Sequence, residues 1–114
     1  MPVEISLPPV VGDPAGMRAL AAALRADAAS IAVVAAQTAA TIDGLEFYGP
    51  AADRIEAGVT SRARGAGRLA DRLLSLAAVL DRSASDVEAA QRERERKLEE
   101  MRRELVAQAV RLAP

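Results

Sequence analysis

LEFYGPAADRI, residues 45–55, holds the only phenylalanine and the only tyrosine of this 114-residue chain, side by side. Gly49-Pro50 follows them, and alanine-rich stretches lie on either side. Glycine reaches backbone conformations closed to other residues, and proline is preorganised for the first position of a helix. The stretch reads as a hinge between two helices, the second launched at Pro50. Asp53 falls in its first turn, where a negative charge favours the helix dipole.

Working upstream, Gly12-Asp13-Pro14 is the matching start of the first helix. Asp13 is placed to accept hydrogen bonds from the free N–H groups of the first turn, and Pro14 fits the position after it. Met17, Leu20, Leu24, Ala28, Ile31, Val34 or Ala35, Thr38 and Ile42 recur at steps of three and four, the signature of one helical face. Asp43-Gly44 ends the run with a glycine suited to a left-handed C-terminal cap. Downstream, Ile55, Val59, Arg62, Ala66, Leu69, Leu73, Leu76 and Leu80 form the second stripe. Gly58, Gly65 and Gly67 each weaken a helix by roughly 1 kcal/mol relative to alanine. The second helix is nonetheless expected to run through them, with Gly58 and Gly65 admitting close backbone approach. A break at Arg64–Gly67 is the alternative.

These boundaries predict an all-α fold: an antiparallel helical hairpin with a long charged second helix, dimerising into a four-helix bundle. Residues 1–12, with Pro2, Pro8 and Pro9, are an extended lead-in; 13–86 are the hairpin, with its turn at 44–50; 87–114 are a charged helical extension. In that extension Glu88–Arg92, Glu93–Lys97 and Glu99–Arg103 stand in the favourable (i, i+4) order. Val87, Leu98, Met101, Leu105 and Leu112 leave a thin seam that reads as shifted from the Leu69–Leu80 seam. A short symmetric turn sets Ile42 near Ala52, Ile31 near Arg62 or Ala63, Leu24 near Leu69 and Met17 near Leu76. Beyond about residue 80 the second helix then lacks a helical neighbour. Val3, Ile5 and Leu7 of the lead-in, and a second chain, are the expected cover.

Composition points the same way. The chain is 51% hydrophobic but 2% aromatic, so its apolar content is mostly alanine, leucine and valine. Alanine favours helix but removes little apolar surface from water, and small domains bury a small share of theirs. Stability is therefore expected to depend on association, through Leu20, Leu24, Ile31, Leu69, Leu73, Leu76 and Leu80. At the hinge, Phe47 is expected to wedge between the helix ends while Tyr48 buries its ring edge and keeps its hydroxyl wet. Capping the core is favoured there over a recognition surface.

A helix opening GDPAGMRALAAALR, a Phe-Tyr-Gly-Pro-Ala-Ala-Asp turn near mid-chain and a second amphipathic helix together resemble the WXG100 superfamily. These are the small ESX-type helical hairpin proteins of bacterial type VII secretion, with their EspC-like actinobacterial branch. The resemblance spans roughly residues 13–90. Phe47-Tyr48-Gly49 takes the place of the family's Trp-x-Gly turn, and Pro50 follows it. It implies a homodimer, or a heterodimer with another small helical protein. A secretion ATPase or a secreted effector are the further partners it suggests. Phe47 departs from the family tryptophan conservatively. The family's C-terminal Tyr-x-x-x-Asp/Glu export signal is missing, since the residue four beyond Tyr48 is Ala52. Either a partner carries the signal, or the protein works inside the cell as a chaperone or adaptor.

Other chemistries find little footing. With no cysteine and no histidine, the chain has no thiolate or imidazole metal ligand and lacks the commonest general base. Glu99-Glu100 and Asp53 with Glu56 lie on predicted exposed faces, without the enclosing pocket that acid–base work needs. Lys97, the sole lysine, sits in a charge run. No enzyme, cofactor or metal is expected. Arg64, Arg68 and Arg72, flanked by Arg54 and Arg62, form a basic stripe. A net charge of −1 and the lack of stacking aromatics argue against nucleic acid. Arg62 is expected to reach Asp27 across the hairpin. The most apolar run, 28–42, is too short to span a bilayer, so no membrane insertion is expected. The start, MPVEISLPPVV, lacks the charged and apolar regions of a signal peptide. The expectation is a cytoplasmic protein before any export, leaving without a leader.

Overall fold

The computed structural model describes residues 6–46 and 48–113. It consists of two helices, α1 (Pro14–Asp43) and α2 (Pro50–Leu112), with no strand among the described residues. The molecule is a rod of 100 × 16 × 16 Å, its length set by the 63 residues of α2. Arg18 pairs with Glu88 and Arg25 with Asp81, so a step of seven forward on α1 meets a step of seven back on α2. The helices are therefore antiparallel.

The Asp13 carboxylate accepts from the Gly16 N–H at 3.1 Å, and its carbonyl accepts from the Met17 N–H at 2.9 Å. Pro50 opens α2 behind Gly49, whose φ of +106° is open to glycine at no steric cost. At the other end of α1 the expected left-handed cap is absent. Gly44 has φ −79° and ψ −9°, and its N–H continues the helical pattern to Ala40. Gly44 thus prolongs the helical backbone of α1 instead of closing it with a left-handed residue.

The register also differs from the expected one. Gly12 lies against Val87, and Arg18 reaches Ser85 and Glu88. The start of α1 thus lies well beyond the level of Leu76 expected for Met17, and α2 keeps a helical neighbour past residue 80. Farther on, the lead-in takes over. Arg94 donates from Nε to the Pro8 carbonyl and from Nη2 to the Leu7 carbonyl, both at 3.0 Å. Val3 and Ile5 lie outside the described residues.

α2 runs unbroken through Gly65–Gly67. Among the described residues the close approach expected at Gly58 is not made: a methyl there meets nothing within 4 Å, and none is met at Gly67 either. At Gly65 only the tip of the Arg68 side chain comes near.

The seam consists of alanines. Among the described residues Ala21, Ala28, Ala52, Ala70, Ala77 and Ala84 are the buried ones, and no larger side chain is fully covered. On α1 the rows Ala21–Ala28–Ala35–Ile42 and Met17–Leu24–Ile31–Thr38 each repeat every seven residues. On α2 the corresponding rows are Ala63–Ala70–Ala77–Ala84–Gln91–Leu98–Leu105 and Ala66–Leu73–Leu80–Val87–Arg94–Met101. A sustained seven-residue repeat of this kind is coiled-coil packing. Small residues along one row of each helix let the backbones approach while the leucine row folds over the gap. Thr38 fits this apolar row because its hydroxyl donates to the Val34 carbonyl at 2.9 Å.

Two expectations are corrected by these rows. The second-helix stripe through Leu69 and Leu76 lies one position away from the buried line through Ala70 and Ala77; both leucines are 49% exposed. The charged extension's seam is not shifted either, because Val87, Leu98, Met101 and Leu105 continue the two rows that start in the hairpin.

Candidate functional site

Residues flanking a seam of this type fall on two edges, one following the leucine row and one preceding the alanine row. The two edges of this hairpin differ chemically.

The first edge carries Arg18 and Arg25 from α1 and Asp81 and Glu88 from α2. It is closed by the Arg18–Glu88 and Arg25–Asp81 ion pairs. Arg18 also donates to the Ser85 hydroxyl at 3.3 Å, and Arg92 approaches Glu88 at 4.0 Å. The hydrogen bond from Arg18, aided by the charges of Arg18 and Arg92, holds the Glu88 carboxyl below its ordinary range. The same bond raises Arg18.

The second edge carries Leu20, Asp27 and Val34 from α1 with Ile55, Arg62, Leu69 and Leu76 from α2. All seven are exposed. Between the helices it opens as a groove of about 410 Å³ lined by Ile31, Val34 and Thr38 on one side and Val59, Arg62 and Ala66 on the other. Its walls are apolar except for two hydroxyls and one guanidinium. Among the described residues Arg62 has no ion pair with Asp27, so that expected link across the hairpin is not made.

The six leucines and one isoleucine expected at an interface are thus divided. Leu24, Ile31, Leu73 and Leu80 are half-buried in the intramolecular seam, whereas Leu20, Leu69 and Leu76 stand on the open edge. Of the hinge residues, Tyr48 is 92% exposed, so its ring edge is not buried as expected; Gly49 and Pro50 start α2. Phe47 lies outside the described residues.

Farther along α2, Glu93 pairs with Arg96 rather than with Lys97, and Glu99 with Arg103 at 3.4 Å. Arg64 and Arg68 border a shallow depression with Ala57, Thr60 and Ser61 on α2 alone. Among the described residues no three acidic side chains converge as a metal site. α1 as a whole is long and apolar enough to cross a bilayer, which the 28–42 run by itself is not. Here its Ala21 and Ala28 face is buried against α2.

Compared with protein-family models, curated proteins and solved structures, the chain matches none.

Proposed function

We propose that the protein is a non-enzymatic, WXG100-like helical hairpin of a type VII (ESX) secretion context. It acts as a subunit of a secreted dimer or as an escort for a secreted partner. The observation that carries this reading is the inequality of the two edges. One is closed by ion pairs within the chain, and the other leaves Leu20, Val34, Ile55, Leu69 and Leu76 facing water beside an apolar groove. A seam of alanines buries little apolar area, so a hairpin of this kind gains by covering that edge with further helices. The Phe47-Tyr48-Gly49-Pro50 turn adds the family resemblance. The partner is a second hairpin, its own or that of another small helical protein, and a secretion ATPase or effector is the next component it meets. The protein is cytoplasmic before export and needs no signal peptide under this reading.

The test is export. In the native cell, an epitope-tagged chain is expected in the culture filtrate, or in complex with a filtrate protein, only while the secretion ATPase is intact. A chain retained in the cell, with neither that ATPase nor an exported companion bound to it, counts against the reading.

A second reading rests on the seam rows that continue through Leu98, Met101, Leu105 and Leu112. It makes the protein a homodimeric coiled-coil module joined through its charged extension and unrelated to secretion. It predicts a parallel dimer.

A further inference from the structure

The open edge carries two charges of opposite sign, neither in an ion pair among the described residues: Asp27 on α1 and Arg62 on α2. Each sits at the centre of an otherwise apolar row with steps of seven, Leu20–Asp27–Val34 and Ile55–Arg62–Leu69. The rows match in spacing and in pattern, apolar–charged–apolar, and differ only in the sign of the charge. Within one hairpin they are out of step. The level of Asp27 on α2 falls between Leu69 and Leu76, because Arg25 reaches Asp81 and Thr38 shares the groove with Val59.

We infer that the occupant of this edge is a second copy of the same chain, laid antiparallel about a two-fold axis that crosses the hairpin midway between the levels of Val34 and Leu69. This rests on the partner-binding reading above and names the partner. The axis places Leu20 level with Ile55 of the second copy, Asp27 with its Arg62, and Val34 with its Leu69. Symmetry repeats each pairing, so both exposed charges of both copies are matched. A two-fold along the rod would instead set Asp27 against Leu69 and Leu76, leaving four charges unmatched on an apolar face. A two-fold interface must be self-complementary, and these rows are.

Two further observations fit. The hairpin face alongside α1 is about 45 Å long at ~1.5 Å per residue and 16 Å wide. That footprint is on the order of 700 Å², close to the ~800 Å² per partner of a standard interface. Gly58 and Gly65 flank the Ile55–Arg62–Leu69 row on the open side, and among the described residues nothing packs on Gly58. In the antiparallel pair Leu76 comes within about a turn of the second copy's Gly58, where a missing methyl leaves room for it.

The test is sedimentation equilibrium of the full chain as wild type, Asp27→Arg, Arg62→Asp and the double exchange, with circular dichroism confirming that helicity is retained. The wild type is expected at twice 11.9 kDa. Either single reversal sets like charges together twice per dimer and raises the dissociation constant about tenfold or more; the exchange restores it. Since the chain has no cysteine, a mixture of Asp27→Cys and Arg62→Cys proteins gives a second readout. A short bis-maleimide should join the two different variants in preference to two identical ones. A wild type monomeric at about 100 μM, where a standard interface is saturated, overturns the second copy; so does a dimer indifferent to both reversals. If that monomer binds another small helical protein through the Leu20–Leu69 edge, the second copy fails while the partner-binding reading stands. If it binds neither, both fall.

Discussion

The alanines at the centre of the seam cannot be exchanged for larger residues. Ala77 and Ala84 are 0% exposed, and the space they occupy is the separation of the two backbones itself. Ala77→Leu forces the helices apart or its own side chain off-rotamer, and is expected to cost about 1–3 kcal/mol. Urea unfolding at two protein concentrations checks this, because the loss should be the same at both. Leu76→Ala, one residue away, removes an exposed side chain. It should cost the lone hairpin under ~1 kcal/mol, with a larger loss only where the protein associates. Size explains why periodicity alone puts the stripe on Leu69 and Leu76. Apolar weight follows side-chain volume, whereas a close-packed seam is centred where side chains are smallest. Leu24, Ile31, Leu73 and Leu80 were legible because they belong to both the periodic stripe and the observed rows.

At the scale of the helices, what was legible is what local chemistry controls. Asp13 with Pro14, and Gly49 with Pro50, fix both starts, and the seven-residue repeat outweighs three glycines inside α2. The register was not legible. It is set by packing along the seam, and Gly44 is helical where its residue type favours a left-handed cap. Asp27 comes near Arg62 only in the expected register, whereas Arg25–Asp81 and Arg18–Glu88 show α1 lying farther along α2. Gly67 offers a direct test of helix continuity. It lies on the ion-paired edge, a methyl there meets nothing within 4 Å, and nothing in the structure explains its being glycine. Gly67→Ala is expected to stabilise the hairpin by about 0.5–1 kcal/mol without changing its association, measured by thermal unfolding beside sedimentation. The ion-paired edge also titrates. Glu88 is held below its ordinary range in the folded chain. Its contribution is complete above the ordinary glutamate range and is lost as pH falls through the lowered value. Glu88→Gln should therefore flatten the acid limb of stability against pH and leave neutral-pH behaviour less affected than Ala77→Leu does.

On the scale of the whole molecule, the hairpin occupies one end of the rod and the charged extension the other, so the arrangement of two copies sets the overall length. α2 continues 43 residues beyond Leu69. In the antiparallel pair the two-fold axis lies near that level, and the extensions project from opposite ends. The maximum dimension is then about 135 Å at ~1.5 Å per residue, against 100 Å for the single chain. A parallel dimer joined through Leu98, Met101, Leu105 and Leu112 superposes the two rods side by side and keeps a length near that of one. Small-angle scattering of the dimer separates these lengths without any substitution. The longer particle presents two charged arms, Val87 onward, far from the interface and from each other, each free to engage a different component. The shorter one commits the arms to holding the dimer together and leaves Leu20, Leu69 and Leu76 in water. A length near 135 Å therefore assigns association to the open edge and recognition to the arms, whereas a length near 100 Å reverses the two roles.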